Sequence, residues 1–225
     1  MSTLYNTAAI AAAIDHTLLK PEAEAADIDR ICDEAIAHNF AAVCVNSVWI
    51  DRVASRLAGS AVRPCSVVGF PLGASLTAAT EAAAAIDAGA QEIDMVLSIG
   101  HALAGDWDAV RDGITAVFNV CHGTPLKVIL ETCLLSDAQK RTACQICVDV
   151  GVAFVKTSTG FSTGGATIED VALMRSVVGP HMGVKASGGI RDRATATAML
   201  AAGATRLGCS AGVAIVSGEV GLDAY

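Results

Sequence analysis

The sequence predicts an α/β chain that folds as one closed TIM-type (β/α)8 barrel domain over residues 1–225, and three observations carry that prediction. About eight strand-like apolar runs recur at regular intervals with helical patterns between them, which describes a parallel sheet with helices outside it. A repeating unit of helical run, short turn and strand appears in AAAAIDAGAQEIDMV (82–96), CQICVDVGVAFVKTS (144–158) and TAMLAAGATRLGCS (197–210). Hydrophobic residues make up 53% of the chain and aromatics only 4%, so the interior is built from Ala, Val, Ile and Leu. That interior suits helices packed closely over buried parallel strands. The length of 225 residues fits a barrel of this kind. An open doubly wound sheet is the alternative.

The strands are expected at 14–17, 41–46, 65–69, 92–97, 126–131, 153–157, 183–187 and 205–209. Gly in three of the turns, and Asn39 in EAIAHNFAAVCVN (34–46), can take the left-handed conformation that ends a helix. Ser136 to Gln139 and Thr167 to Asp170 read as capping boxes at helix starts, the second with Asp in place of Glu. No low-complexity linker divides the chain.

Composition excludes several classes. The net charge is −8 and no Lys/Arg cluster stands out, which argues against a nucleic-acid surface but leaves room for an anionic small substrate in a locally positive pocket. The run AAIAAAI (8–14) is short and lacks a basic leader, and no apolar run approaches the length of a membrane span. Eight cysteines in strand-like and helix-like settings indicate reduced thiols and a cytoplasmic location. Cys144-x-x-Cys147 reads as a helix face, with a redox or metal pair as the alternative.

The polar residues gather at strand ends, where barrels of this type keep their reactive groups. Strand one ends in Asp15-His16-Thr17, strand two in Cys44-Val45-Asn46, and strand four holds Asp94. Strand five ends in Glu131, strand six in Lys156 and strand seven in Lys185-Ala186-Ser187. Alternation along a strand puts Lys156 on the face of Val152 and Phe154, and Lys185 on the face of Gly183, which leaves room beneath it. Two lysines on neighbouring strands lower each other's pKa by like-charge repulsion and burial, which activates an amine for imine formation. In the alternative, buried carboxylates simply neutralise both lysines. Asp94 and Asp15 are the nearest carboxylates for proton relay. Glu131 pairs with Lys127 on the same face, and His16 is a hydrogen-bonded packing residue. The five histidines show no HxH or HExxH spacing, so no metal site is expected.

An anion pocket is expected where strands seven and eight run into Ser187-Gly188-Gly189-Ile190-Arg191 and Gly208-Cys209-Ser210-Ala211-Gly212. Adjacent glycines let backbone N–H groups approach a phosphate closely. Thr159-Gly160 opens a third loop at the same rim.

DHTLL (15–19), VCVN (43–46), VVGFPLG (67–73), EIDMV (92–96), KVILET (127–132), FVKTSTGF (154–161), VKASGGIR (184–191) and RLGCSAG (206–212) together resemble the deoxyribose-phosphate aldolases over nearly the whole chain. The resemblance implies a class I aldolase, independent of metal and cofactor. It would cleave 2-deoxyribose 5-phosphate reversibly to glyceraldehyde 3-phosphate and acetaldehyde, in deoxynucleoside breakdown. It assigns Lys156 as the imine-forming lysine, Lys185 as the lysine that perturbs it, Asp94 as the relay acid and Asp15 as a supporting carboxylate. Gly188, Gly189 and Ser210 match phosphate contacts. Thr17, Cys44, Thr159, Gly160, Arg191 and Gly208 complete the expected substrate-facing set, and the terminal Tyr225 is one that can reach the site. The implied partners are small phosphorylated sugars and aldehydes, with no nucleic acid or membrane, and a homodimer suits the chain. Two departures bear on phosphate affinity: Phe161 stands where some members carry a lysine, and Ser210-Ala211 where some carry paired serines. Other readings are an isomerase or synthase using the same cup without an imine, a pyridoxal-phosphate Schiff-base protein, or a non-catalytic barrel.

Overall fold

The computed structural model describes residues 5–221. Its elements run in chain order as α1 (Thr7–Ala11), β1 (Ile14–Leu18), α2 (Ala25–His38), β2 (Ala42–Asn46), α3 (Ile50–Leu57), β3 (Arg63–Val68), α4 (Ala78–Asp87), β4 (Glu92–Val96), α5 (Ile99–Ala104) and α6 (Trp107–Cys121). They continue as β5 (Leu126–Ile129), α7 (Asp137–Val150), β6 (Phe154–Lys156), α8 (Ile168–Val178), β7 (Gly183–Ser187), α9 (Arg193–Ala201), β8 (Arg206–Cys209) and α10 (Gly212–Ser217). All eight strands pair in parallel and in sequence, and β1 also pairs with β8, which closes the barrel.

Strand alternation sorts the side chains into two layers. Ile14, Val43, Val45, Val68, Ile93, Met95, Leu126, Val128, Val155, Val184 and Leu207 point outward into one buried apolar layer shared with the helices. Each contributes about 1.5–3 kcal/mol by leaving water. The alternate residues point inward, and many are charged: Asp15, Glu92, Asp94, Lys127, Lys156, Lys185 and Arg206 are all buried. The apolar effect therefore holds the barrel from outside, while its lumen is organised by electrostatics.

Helix ends follow the expected turn chemistry. Asn39 and Gly151 end α2 and α7 in the left-handed region, with φ of 55° and 85°. Ser136 and Gln139 form a reciprocal capping box on α7. Thr167 caps α8 by accepting from the Asp170 N–H, but the box is not closed. The Asp170 carboxylate instead accepts from Lys140 of α7 at 2.6 Å, an ion pair between neighbouring helices.

All strand boundaries fall within two residues of expectation, and at β5 the difference has a consequence. It ends at Ile129 rather than Glu131, because Glu131 takes φ +56° and turns out of the extended path. Among the described residues, no helix is long and apolar enough to cross a membrane.

Candidate active site

Asp94 is the centre of the lumen. It sits on β4, fully buried, and the three strands that follow, β5, β6 and β7, each bring a lysine nitrogen to it. Lys127 of β5 donates to Oδ1 at 2.7 Å. Lys156 of β6 and Lys185 of β7 both donate to Oδ2, at 2.8 and 2.7 Å. The two lysines are register partners on neighbouring strands, so their side chains leave the sheet side by side. A thiol completes the shell: Cys65 of β3 donates to Oδ1 at 3.2 Å.

A second tier lies beneath. Lys185 also donates to Asp15 at 2.5 Å, and Arg206 of β8 donates to the other Asp15 oxygen at 2.6 Å. Arg206 and Lys127 share Glu92 of β4, at 3.0 and 2.6 Å. The Phe154 ring lies below both cations, with ring-centre distances of 5.3 Å to Arg206 and 5.9 Å to Lys127. Gly183 makes room for that ring rather than for Lys185, because a Cβ there would lie 2.0 Å from Phe154 Cδ1. Gly208 makes room for Ser187 and Lys185, since its Cβ would stand 2.2 Å from Ser187 Oγ and 3.0 Å from Lys185 Cε.

These contacts set the charges. Burial alone would raise the Asp94 carboxyl, but Lys127, Lys156 and Lys185 together hold it well below the ordinary carboxylate range. Asp15 and Glu92 are lowered in the same way: burial is overcome at Asp15 by Lys185, Lys127 and Arg206, and at Glu92 by Lys127 and Arg206. Lys185 is raised, because Asp15 and Asp94 outweigh both its burial and the repulsion from Lys127. The expected mutual depression of the lysine pair therefore fails at Lys185. Its two close carboxylates keep it an ammonium, and their contacts dominate the like charge.

The glycine loops form a pocket of about 230 Å³ above the lysines, lined in part by Gly160, Gly188, Gly189, Arg191, Gly208 and Ser210. Gly188 and Gly189 have φ of +86° and +79°, a conformation that few side chains tolerate. Arg191 is exposed at the rim. Phe161 meets Phe70 edge-on at 5.3 Å on the same side.

The other expected residues are placed as follows. Thr17 faces the lumen, buried, with its hydroxyl donating to the Asp15 carbonyl at 2.8 Å. Thr159 is buried, and its N–H and hydroxyl both donate to the Glu131 carboxylate. Glu131 thus anchors the loop after β6 and does not pair with Lys127, which is held by Asp94 and Glu92. Cys44 faces inward and is fully buried beside Asp94 and Cys65. His16 points outward and bonds Glu34 of α2 at 2.6 Å, a packing role. Tyr225 lies outside the described residues.

Sequence reasoning missed Glu92, Arg206 and Cys65, and gave Ser187 no role of its own. The signal was there in the alternation: Glu92 and Asp94 share a face, as do Arg206 and Gly208, and Lys185 and Ser187. Ser187 has a buried hydroxyl with no partner, two residues above Lys185.

A closed parallel barrel with a buried lysine–carboxylate cluster below a glycine-lined cup belongs to the lysine-bearing TIM-barrel enzymes as a class. The family of DeoC/LacD family aldolases matches residues 9–218. Three solved structures are similar over most of the chain. A candidate deoxyribose-phosphate aldolase from Coccidioides immitis is 39% identical, with 95% of this chain and 86% of that one covered and a TM-score of 0.92. An aldolase, QR15, is 36% identical over 92% of this chain and 94% of its own, with a TM-score of 0.88. The deoxyribose phosphate aldolase of Aeropyrum pernix, described as a tetramer, is 32% identical over 94% and 91%, also at 0.88. This chain belongs to the DeoC/LacD aldolase family.

Proposed function

We propose that this aldolase reversibly cleaves 2-deoxyribose 5-phosphate to glyceraldehyde 3-phosphate and acetaldehyde through an imine on Lys156. The observation that carries the reading is the convergence of Lys156 and Lys185 on one oxygen of Asp94, below the glycine cup. Three buried carboxylates, Asp15, Glu92 and Asp94, face Lys127, Lys185 and Arg206, which balance them without Lys156. The Lys156 amine is the group whose charge the cluster does not require.

The Lys156 nitrogen adds to C1 of the open-chain aldehyde, and loss of water gives an iminium. Acetaldehyde carries two carbons, so the bond that breaks is C2–C3. Its electrons flow into the iminium to give an enamine, while the C3 hydroxyl loses its proton and becomes the aldehyde of the departing triose phosphate. Asp94 is ionised and accepts that proton directly or through water. The Lys185 ammonium, bonded to the same oxygen, relays it to the enamine carbon. Hydrolysis of the resulting iminium frees acetaldehyde and restores the amine. Backbone N–H groups at Gly188, Gly189 and Ser210 receive the phosphate, with Arg191 adding charge at the rim.

The fully free set of eight cysteines supports a reducing, cytoplasmic setting. A homodimer is part of the same proposal, to be checked by sedimentation. The reading is tested by incubating the enzyme with acetaldehyde and borohydride and mapping the ethylated peptide. Modification of Lys156 is expected, and an adduct confined to another lysine overturns the assignment. Retro-aldol turnover of 2-deoxyribose 5-phosphate, unchanged by chelator, tests substrate and metal independence together.

A further inference from the structure

Two cysteines on adjacent strands stand face to face inside the lumen. Cys44 of β2 and Cys65 of β3 are direct register partners. Both point inward, both are fully buried, and both are free thiols. Their sulfurs and an Asp94 carboxylate oxygen all lie within 4.8 Å of one another. Cys65 donates to Asp94, and Lys127 donates to the Cys65 sulfur at 3.4 Å. Register partners on parallel strands have Cα atoms about 4.8 Å apart, inside the range that a disulfide spans without backbone movement. A bound cation is the other chemistry for two thiols and a carboxylate, but three lysine nitrogens already hold this carboxylate.

We infer that Cys44 and Cys65 form a reversible disulfide under hydroperoxide, which disconnects Cys65 from Asp94 and switches the aldolase off. The Cys44 sulfur attacks the peroxide. The O–O bond breaks, one oxygen stays on sulfur as a sulfenic acid, and the other leaves as water or an alcohol. The Cys65 thiol then attacks that sulfur, an S–S bond forms, and a second oxygen departs as water. Two electrons from the thiols reduce the peroxide.

The order of attack follows from the surroundings. The neighbouring Cys65 thiol lowers the Cys44 thiol, against its burial and the Asp94 charge, with Lys185 and Lys156 assisting. Burial pushes the Cys65 thiol up, so it remains the protonated, resolving partner. Once the bond forms, Asp94 loses its thiol donor at Oδ1 and the lysine–carboxylate geometry above it shifts. The inference concerns two thiols and does not depend on which lysine forms the imine.

The test is a hydrogen peroxide titration of the folded enzyme, quenched by alkylation in denaturant, digested without reduction and mapped by mass spectrometry. A linked peptide joining Cys44 and Cys65 is expected to appear as retro-aldol activity falls by about tenfold or more, and dithiothreitol is expected to reverse both. In Cys65→Ser, judged against its own untreated activity, the link is absent and dithiothreitol no longer restores what peroxide removes. Counting protected thiols in the wild type before and after treatment decides the matter if that variant does not fold. Two results overturn the inference: loss of activity without the Cys44–Cys65 link, or both thiols still reduced at peroxide levels that oxidise the exposed Cys133.

Discussion

Lys156 and Lys185 are register partners on β6 and β7, and both bond the same oxygen of Asp94, at 2.8 and 2.7 Å. One carboxylate oxygen thus links the amine proposed to form the imine to the ammonium proposed to move protons. The first consequence concerns Asp94 itself. Asp94→Asn keeps the shape of the side chain and removes the charge that three lysine nitrogens share. Removing one side of a buried ion pair costs about 3–5 kcal/mol. The variant is expected to unfold at markedly lower denaturant and to lose about a hundredfold or more in turnover. Wild-type stability in a denaturant titration would contradict the central role given to this carboxylate.

Lys185→Met separates imine formation from proton transfer. Lys156 still has Asp94 beside it, so borohydride trapping with acetaldehyde is expected to continue at residue 156. Turnover of the phosphorylated sugar is expected to fall by about two orders of magnitude or more, the usual scale for a lost acid–base group. An adduct that vanishes in this variant while Lys156→Met still traps acetaldehyde would exchange the two roles.

Gly189→Ala probes the cup without touching the lysines. Nothing lies within 4 Å of the added Cβ, but φ is +79°. The strain is about 1–2 kcal/mol, borne by the loop that presents its N–H groups. KM for 2-deoxyribose 5-phosphate is expected to rise by about tenfold, with acetaldehyde trapping at Lys156 unchanged. Gly208→Ala differs, because its Cβ would fall 2.2 Å from Ser187 Oγ and 3.0 Å from Lys185 Cε. Both KM and kcat suffer there, and steady-state kinetics distinguishes the two patterns.

Stability depends on pH in a direction that the lumen dictates. Asp15, Glu92 and Asp94 titrate below their ordinary values of 3.8, 4.5 and 3.8. The unfolded chain therefore takes up protons first as the solution is acidified. The stability these groups contribute is complete above about pH 5 and is lost as pH falls toward their folded values. Lys127 and Lys185 are raised above 10.5, so their contribution is complete below that pH and is lost as pH rises through their folded values. Burial also holds several thiols, Cys144 and Cys209 among them, above their ordinary 9.0, so urea midpoints are expected to be level from about pH 5 to 8 and to drop on either side, the thiols setting the first alkaline loss. A midpoint that does not fall between about pH 5 and 3 would mean the cluster adds no net stability.

Much of this was legible in the residues. Eight apolar runs with helical spacers gave the barrel, and period-two alternation put Lys156, Lys185, Asp94 and Asp15 on lumen-facing positions. The errors have a common origin. Glu131 reads as a lumen residue only if β5 continues, and a left-handed φ at that position sends its carboxylate to Thr159 instead. Glu92 and Arg206 stand at strand starts, where a charge reads as the boundary with solvent, yet both are buried. The lysine pair suggested repulsion because lysines are visible as neighbours in motif and register. The carboxylates that overrule it come from β1 and β4, distant in the chain.

By itself the sequence determined the alternation of strand and helix, the side of each strand that faces the helices, and the residue types available at the strand ends. Those are local properties, fixed by hydrophobic period and turn chemistry. Which charge meets which was decided only when the barrel closed. Coulomb energy depends on separations of a few ångströms, and closure alone brings Asp15, Asp94, Lys127, Lys156 and Lys185 from five separate strands to those distances.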